Sequence, residues 1–271
     1  MKCMAATYQD TRLDTFVYSD CFKGWPWAKF FDDPKVKEAI KGVADELEKE
    51  AQNSNIEPPL KDVFKALEKV GPNDIKVVIV GQDPTPQEGK ATGMAFSVAK
   101  PRTVPSVMNV LMEVALEGWS VNLDNGDLSK WAKQGVLLLN SALTIGRKSV
   151  QEEGKIKIKL VDHLEHWSEF TSLLITNVAQ RSVWILWGNE AQNFALPHIP
   201  KIQHHYIITG AHPSPKNPSI GNFFGRNYFF CANKFLEKEF GHHGQIDWGL
   251  AVEKDTRFEV KSTGLSACPE F

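Results

Sequence analysis

A chain of 271 residues with 42% hydrophobic content can bury a sizeable core, enough for one large α/β domain or two small ones, of which one is expected. The formal charge of −2 excludes a generally basic nucleic-acid coat, although a polyanion needs only a local basic patch. No apolar run reaches membrane length and no charged N-terminal stretch leads into an apolar one, so an intracellular protein of the nucleus or cytoplasm is expected, with no membrane contact.

The first residues show weak periodicity, which predicts an irregular N-terminal segment over 1–30 ahead of a domain over 31–250. Asp33-Pro34 offers an N-cap and a first-turn proline, and Val36, Ile40, Val43 and Leu47 then share one helical face. Ile75 to Val80 is a continuous aliphatic run of strand length, the pattern of a parallel sheet covered on both faces. Val107, Val110, Leu111 and Val114 follow at helical spacing. "GVLLLN" at 135–140 repeats the buried strand, Leu164, Trp167 and Leu174 mark another helix, and "SVWILWG" at 182–188 and "HYIITGAH" at 205–212 add two more buried strands. Phe229, Ala232, Phe235 and Leu236 form the last helical face before a tail over 251–271. Strand and helix alternate, which predicts an α/β fold with a central, mainly parallel four-stranded sheet flanked by helices. Cys3, Cys21, Cys231 and Cys268 lie far apart with no C-x-x-C pair and read as free thiols in a reducing compartment, without a structural zinc or a disulfide framework.

Each predicted strand empties into a short polar signature: Gly81-Gln82-Asp83, Asn140-Ser141, Gly188-Asn189 and His212-Pro213-Ser214. In an open parallel sheet these strand ends share one rim, and ligands bind at that carboxyl edge. Any one of the four would pass as ordinary loop polarity. Together they point to a crevice.

The ordered set "GQDP" then "GMAFSV", "GVLLLNSALT", "ILWGNEAQ", and "HPSP" then "FFG" resembles the successive motifs of family 1 uracil-DNA glycosylases, over roughly residues 60 to 250. The resemblance implies a monofunctional glycosylase that hydrolyses the N-glycosidic bond of deoxyuridine in single- and double-stranded DNA and so initiates base excision repair. It implies a monomer without cofactor or metal, partnered by uracil-containing DNA and by inhibitor or replication proteins. Enzymes of this kind extrude the base from the stack.

The chemistry accounts for the residue types. Cleavage leaves positive character on the sugar and negative charge on the base, so the site must stabilise both and deliver water. The resemblance gives Asp83 the sugar and the water, and gives His212, as neutral imidazole, a hydrogen bond to the uracil O2. Asn140 matches the reader of O4 and N3–H, Phe96 the aromatic that stacks on the flipped base, and Gln82 supplies a backbone N–H near O2. Pro105-Ser106, Gly188-Asn189 and Ser214-Pro215 match loops that grip the DNA backbone. Of the other histidines, 163, 166, 204, 205, 242 and 243 have no accompanying ligand set and read as surface residues.

Three departures stand out. Thr85-Pro86 occupies the place of the family's Tyr-His, removing the ring that blocks a thymine methyl. Lys216 aligns with the family's duplex-wedging leucine, in a loop where Ile220 or Pro218 also competes for that role. Asn189 replaces a serine. Two alternatives follow: a glycosylase with broadened pyrimidine specificity, or a catalytically weak DNA-binding replication accessory protein on the same fold. Retention of Asp83, Asn140 and His212 argues for the enzyme.

Overall fold

The computed structural model describes residues 6–250, except 23, 101–102, 153, 179 and 202–203, together with residue 268. The predicted tail over 251–271 lies outside the described residues except for Cys268. In chain order the elements are α1 (Leu13–Val17), α2 (Ala28–Phe31), α3 (Pro34–Glu50), β1 (Asn55–Glu57), α4 (Lys65–Lys69), β2 (Val77–Gly81), α5 (Pro105–Leu116), α6 (Ser129–Ala132), β3 (Val136–Asn140), β4 (Ile145–Glu152), β5 (Lys155–Val161), α7 (Leu164–Thr176), β6 (Val183–Trp187), α8 (Asn189–Ala195), β7 (Tyr206–Gly210) and α9 (Tyr228–Phe240).

The start of α3 follows its sequence signal, since the Asp33 side chain accepts a hydrogen bond from the Lys35 N–H at 2.8 Å and Pro34 opens the helix. Its buried face carries Val36, Ile40, Val43 and Leu47. The central sheet has the order β3-β2-β6-β7, with every neighbouring pair parallel and with Gly81 in register with Asn140. β2, β3 and β6 are buried along their whole length. β7 departs from the fully buried strand expected, because it is the sheet edge and leaves Ile207 and Thr209 exposed. β3 is laid on one side of β2, and β6 and β7 on the other, so the loops after β2 and β6 part at the carboxyl rim. Such a switch in strand order opens a crevice.

A second sheet, β1-β4-β5, is antiparallel and was not foreseen from the sequence. Its β4-β5 hairpin leaves Ile156, Ile158 and Leu160 exposed.

The N-terminal segment is not irregular as expected. It carries α1 and α2, and Leu13, Phe16, Val17 and Trp27 join the same core cluster that runs to Leu250. Removing such large apolar side chains from water is worth about 1.5–3 kcal/mol each, which explains why the segment docks without a marked helical period. The cysteine expectation is also corrected: Cys231, buried on α9, is disulfide-bonded to Cys268, with Cα atoms 5.6 Å apart. The Cα spacing fits the bond, and a separation of 37 residues gave no local sign of it. No described helix is long and apolar enough to cross a membrane.

Candidate active site

At the rim, the ladder between β2 and β3 continues into the loops. The Gly81 carbonyl accepts from the Ser141 N–H at 2.9 Å and the Gln82 carbonyl from the Ala142 N–H at 2.8 Å. A Cβ at Gly81 would collide with Oδ1 of Asn140, so glycine is what lets the amide side chain lie across the strand end. Pro84 and Pro86 stiffen the segment that follows, and Gly89 N–H donates to Oε1 of Glu57 at 3.0 Å, pinning its far end to the second sheet.

These strand ends enclose a cavity of about 340 Å³ lined by Gln82, Asp83, Thr85, Phe96, Pro105, Ser106, Asn140, His212, Ser214 and Lys216. An adjoining cavity of about 440 Å³ shares Gln82, His212, Ser214 and Lys216 and adds Gly188, Asn189 and Glu190. The structure thus brings together every sequence-predicted site residue apart from two wedge candidates, Pro218 and, further along the loop, Ile220. That residue begins a single 3₁₀ turn, Ile220–Asn222, and rests partly buried against the core.

Burial, together with the negative charges of Asp162 and Glu190, pushes the Asp83 carboxyl up to about 6. Neither acidic neighbour was singled out from the sequence. Burial moves His212 the other way and lowers its pKa, favouring the neutral ring. Nδ1 of His212 accepts the Ser214 N–H at 3.0 Å, so the proton of the neutral imidazole resides on Nε2. The backbone around His212 is tightly held: Asn217 Nδ2 donates to the His212 carbonyl at 3.0 Å, and Asn109 Nδ2 to the Pro213 carbonyl at 2.8 Å. Gly188, at φ +87°, makes room beside it, since a Cβ there would come within 2.9 Å of the His212 Cβ.

Phe96 adopts φ +58°, in the left-handed region, at a cost on the order of 1–3 kcal/mol for a bulky residue. The neighbouring Ala95 N–H is fixed to the Leu138 carbonyl at 2.9 Å. The ring stands edge-on to Trp187 at 5.3 Å and tilted to His212 at 6.1 Å between ring centres, on the cavity wall. Such strain is held where the surroundings over-determine it, and here it sets the Phe96 ring on the cavity wall. Asn140 is buried at the end of β3, and it lines the cavity.

One histidine expectation is corrected. His163 is buried, not at the surface: its Nδ1 shares a hydrogen bond of 2.8 Å with Thr144 Oγ1, which accepts from Trp167 Nε1 at 2.7 Å. Burial lowers its pKa to about 4, so it serves the core as a neutral ring. Among the described residues, no group of three or more His, Cys, Asp or Glu side chains is arranged to hold a metal ion.

A protein-family model described as the uracil DNA glycosylase superfamily matches residues 68–230. The uracil-DNA glycosylase of Fusobacterium nucleatum is 35% identical over 228 residues, covering 83% of this chain and 95% of its own. That of Escherichia coli O157:H7 is 38% identical over 201 residues, covering 71% and 80%. The solved structure of mimivirus uracil-DNA glycosylase superposes with a TM-score of 0.69 at 25% identity, covering 83% of this chain and 86% of that one. A point variant of mimivirus UNG in complex with UGI gives 0.70 at 25% identity, covering 83% and 88%.

Proposed function

The chain belongs to the uracil DNA glycosylase superfamily and is a uracil-excising DNA glycosylase, and from that premise we propose that Asp83, Phe96, Asn140 and His212 carry the reaction in the smaller cavity. The single observation behind this assignment is the convergence of the four side chains, from four separate segments, on one cavity at the carboxyl rim.

The flipped base stacks on Phe96, and the Asn140 amide donates to O4 and accepts from N3–H. Cytosine reverses both groups and would leave buried polar atoms unpaired, at about 1–3 kcal/mol for each. As the bond between C1′ and N1 breaks, its electron pair passes to the base. His212 donates from Nε2–H to the developing anion at O2, and the ionised Asp83 faces the developing cation at C1′. Water held by Asp83 adds to C1′ and its proton passes to the carboxylate, leaving the abasic site and the uracil anion; release of that proton to solvent restores the ionised Asp83. Above pH 6 most Asp83 is ionised and available for both tasks. Gln82 supplies a backbone donor close to O2.

Pro105 and Ser106 open α5, whose capping residue Val104 offers no side-chain bond to the first N–H groups, leaving them for a DNA phosphate. Ser214, Gly188 and Asn189 grip the backbone from the other wall. The exposed Lys216, which lines both cavities, serves as the wedge in preference to Ile220. All these groups come from one chain, so a monomer suffices, and the same rim is the surface open to a protein inhibitor such as the one bound by the mimivirus variant. A second reading, broadened specificity toward 5-substituted uracils, is favoured by Thr85, whose short side chain lines the cavity.

Uracil release from single-stranded and duplex oligonucleotides tests the assignment. Release should persist in EDTA and fall steeply with added salt, because counterions compete for the phosphates. Binding of uracil-containing DNA without release would support the accessory-protein alternative instead.

A further inference from the structure

The peptide unit between Pro213 and Ser214 is bonded on both sides. Its N–H, carried by Ser214, donates to Nδ1 of His212 at 3.0 Å. Its carbonyl, carried by Pro213, accepts from Nδ2 of Asn109 at 2.8 Å. A planar trans peptide points its C=O and N–H in opposite directions, so a side chain that fixes one fixes the other. Accepting a hydrogen bond also polarises the unit and makes its N–H a stronger donor.

We propose that Asn109 is a positioning residue that acts through the 213–214 peptide to hold His212 as the neutral Nε2–H tautomer. The inference rests on the reading of His212 as the donor to the departing base. Asn109 stands one turn into α5, the helix whose first residues, Pro105 and Ser106, form the facing wall of the cavity. One turn further, Glu113 accepts the N–H groups of Gly225 and Arg226, each at 2.8 Å. One helix therefore holds both ends of the loop that carries Ser214 and Lys216, while presenting the opposite wall. If the peptide swung away, Nδ1 would lose its donor and the proton could occupy either nitrogen. Only the Nε2–H form aims a donor at the base.

The near-isosteric Asn109→Leu removes the donor and keeps the volume. At saturating single-stranded uracil DNA its turnover should fall by about two- to tenfold, the equivalent of one net hydrogen bond, with a smaller change in KM. ¹⁵N NMR of the His212 ring should report the Nε2–H tautomer in the wild-type protein and a mixed tautomer in the variant. Because the lost bond favours the neutral ring, the His212 titration midpoint should rise. Asn109→Ala, which adds no branch, gives the same readings should leucine disturb packing. Unchanged tautomer and turnover, or a loss confined to KM, would overturn the proposal. His212→Ala, measured alongside, separates the two readings. If it keeps wild-type turnover, the role of His212 falls; if it is impaired while Asn109→Leu matches wild type, only the role of Asn109 falls.

Discussion

Asp83→Asn should make the protein more stable and far less active. The carboxyl rises from 3.8 to about 6 in the folded state because burial and the charges of Asp162 and Glu190 oppose ionisation. Two units at about 1.4 kcal/mol each set an upper bound near 3 kcal/mol, and solvent reaching the rim reduces it to about 2 kcal/mol. Between pH 4 and 6 the folded protein binds more protons at this position than the unfolded chain does. Stability is therefore lost as pH rises through that window, and the full cost of the charge stands at pH 7.5. Asparagine has the same shape without the charge, so its melting temperature should exceed that of wild type by a few degrees at pH 7.5 and converge with it toward pH 4. Turnover should meanwhile drop about 10²- to 10³-fold through lost transition-state stabilisation, with DNA binding retained. Thermal melts across that pH range, with single-turnover kinetics and binding to an uncleavable uracil analogue, measure all three. A stabilisation equal at both pH values, or none at all, would refute the argument that the charge is held against its burial. Equal losses of binding and turnover would refute the role assigned to it.

Asp162→Asn and Glu190→Gln each remove a negative charge that raises the Asp83 pKa, so each should move the acid limb of the pH–rate profile from about 6 to lower pH; a profile that does not move would show that burial alone sets it. Thr85→Tyr should suppress release of 5-substituted uracils and leave uracil comparatively untouched, because a methyl entering the space beside Thr85 is worth about 0.8 kcal/mol and the ring would fill that space; equal discrimination by both proteins in single-stranded DNA would mean that another residue guards the pocket. Thiol titration of unfolded, unreduced protein should find fewer than the four cysteines of the sequence, and Cys268→Ser should lower the melting temperature by the equivalent of about 2–4 kcal/mol only in the absence of reductant.

Periodicity and local chemistry are properties of neighbouring residues, and whatever rests on them was legible in the sequence. The aliphatic runs ending at Gly81, Asn140, Trp187 and Gly210 specified a parallel sheet, and sheet geometry put their polar successors on one rim, where Asp83, Asn140 and His212 meet. The cap at Asp33-Pro34 was equally local. Other features depend on contacts between distant segments. Asn109 and Pro213 lie 104 positions apart, and neither carries a pattern that names the other. Cys231 found Cys268, His163 found Thr144, and Asp162 and Glu190 came to act on the charge of Asp83, each only through the packing of whole elements. The β4-β5 hairpin escaped for a related reason: "KIKIKLV" alternates as a strand should, yet its apolar residues are exposed, so burial, the usual partner of that alternation, is missing. The sequence determined where chemistry could occur, because strand ends and side-chain types are written locally. Protonation and tautomer were decided by the tertiary structure, because they depend on charges, burial and hydrogen bonds supplied from elsewhere in the chain.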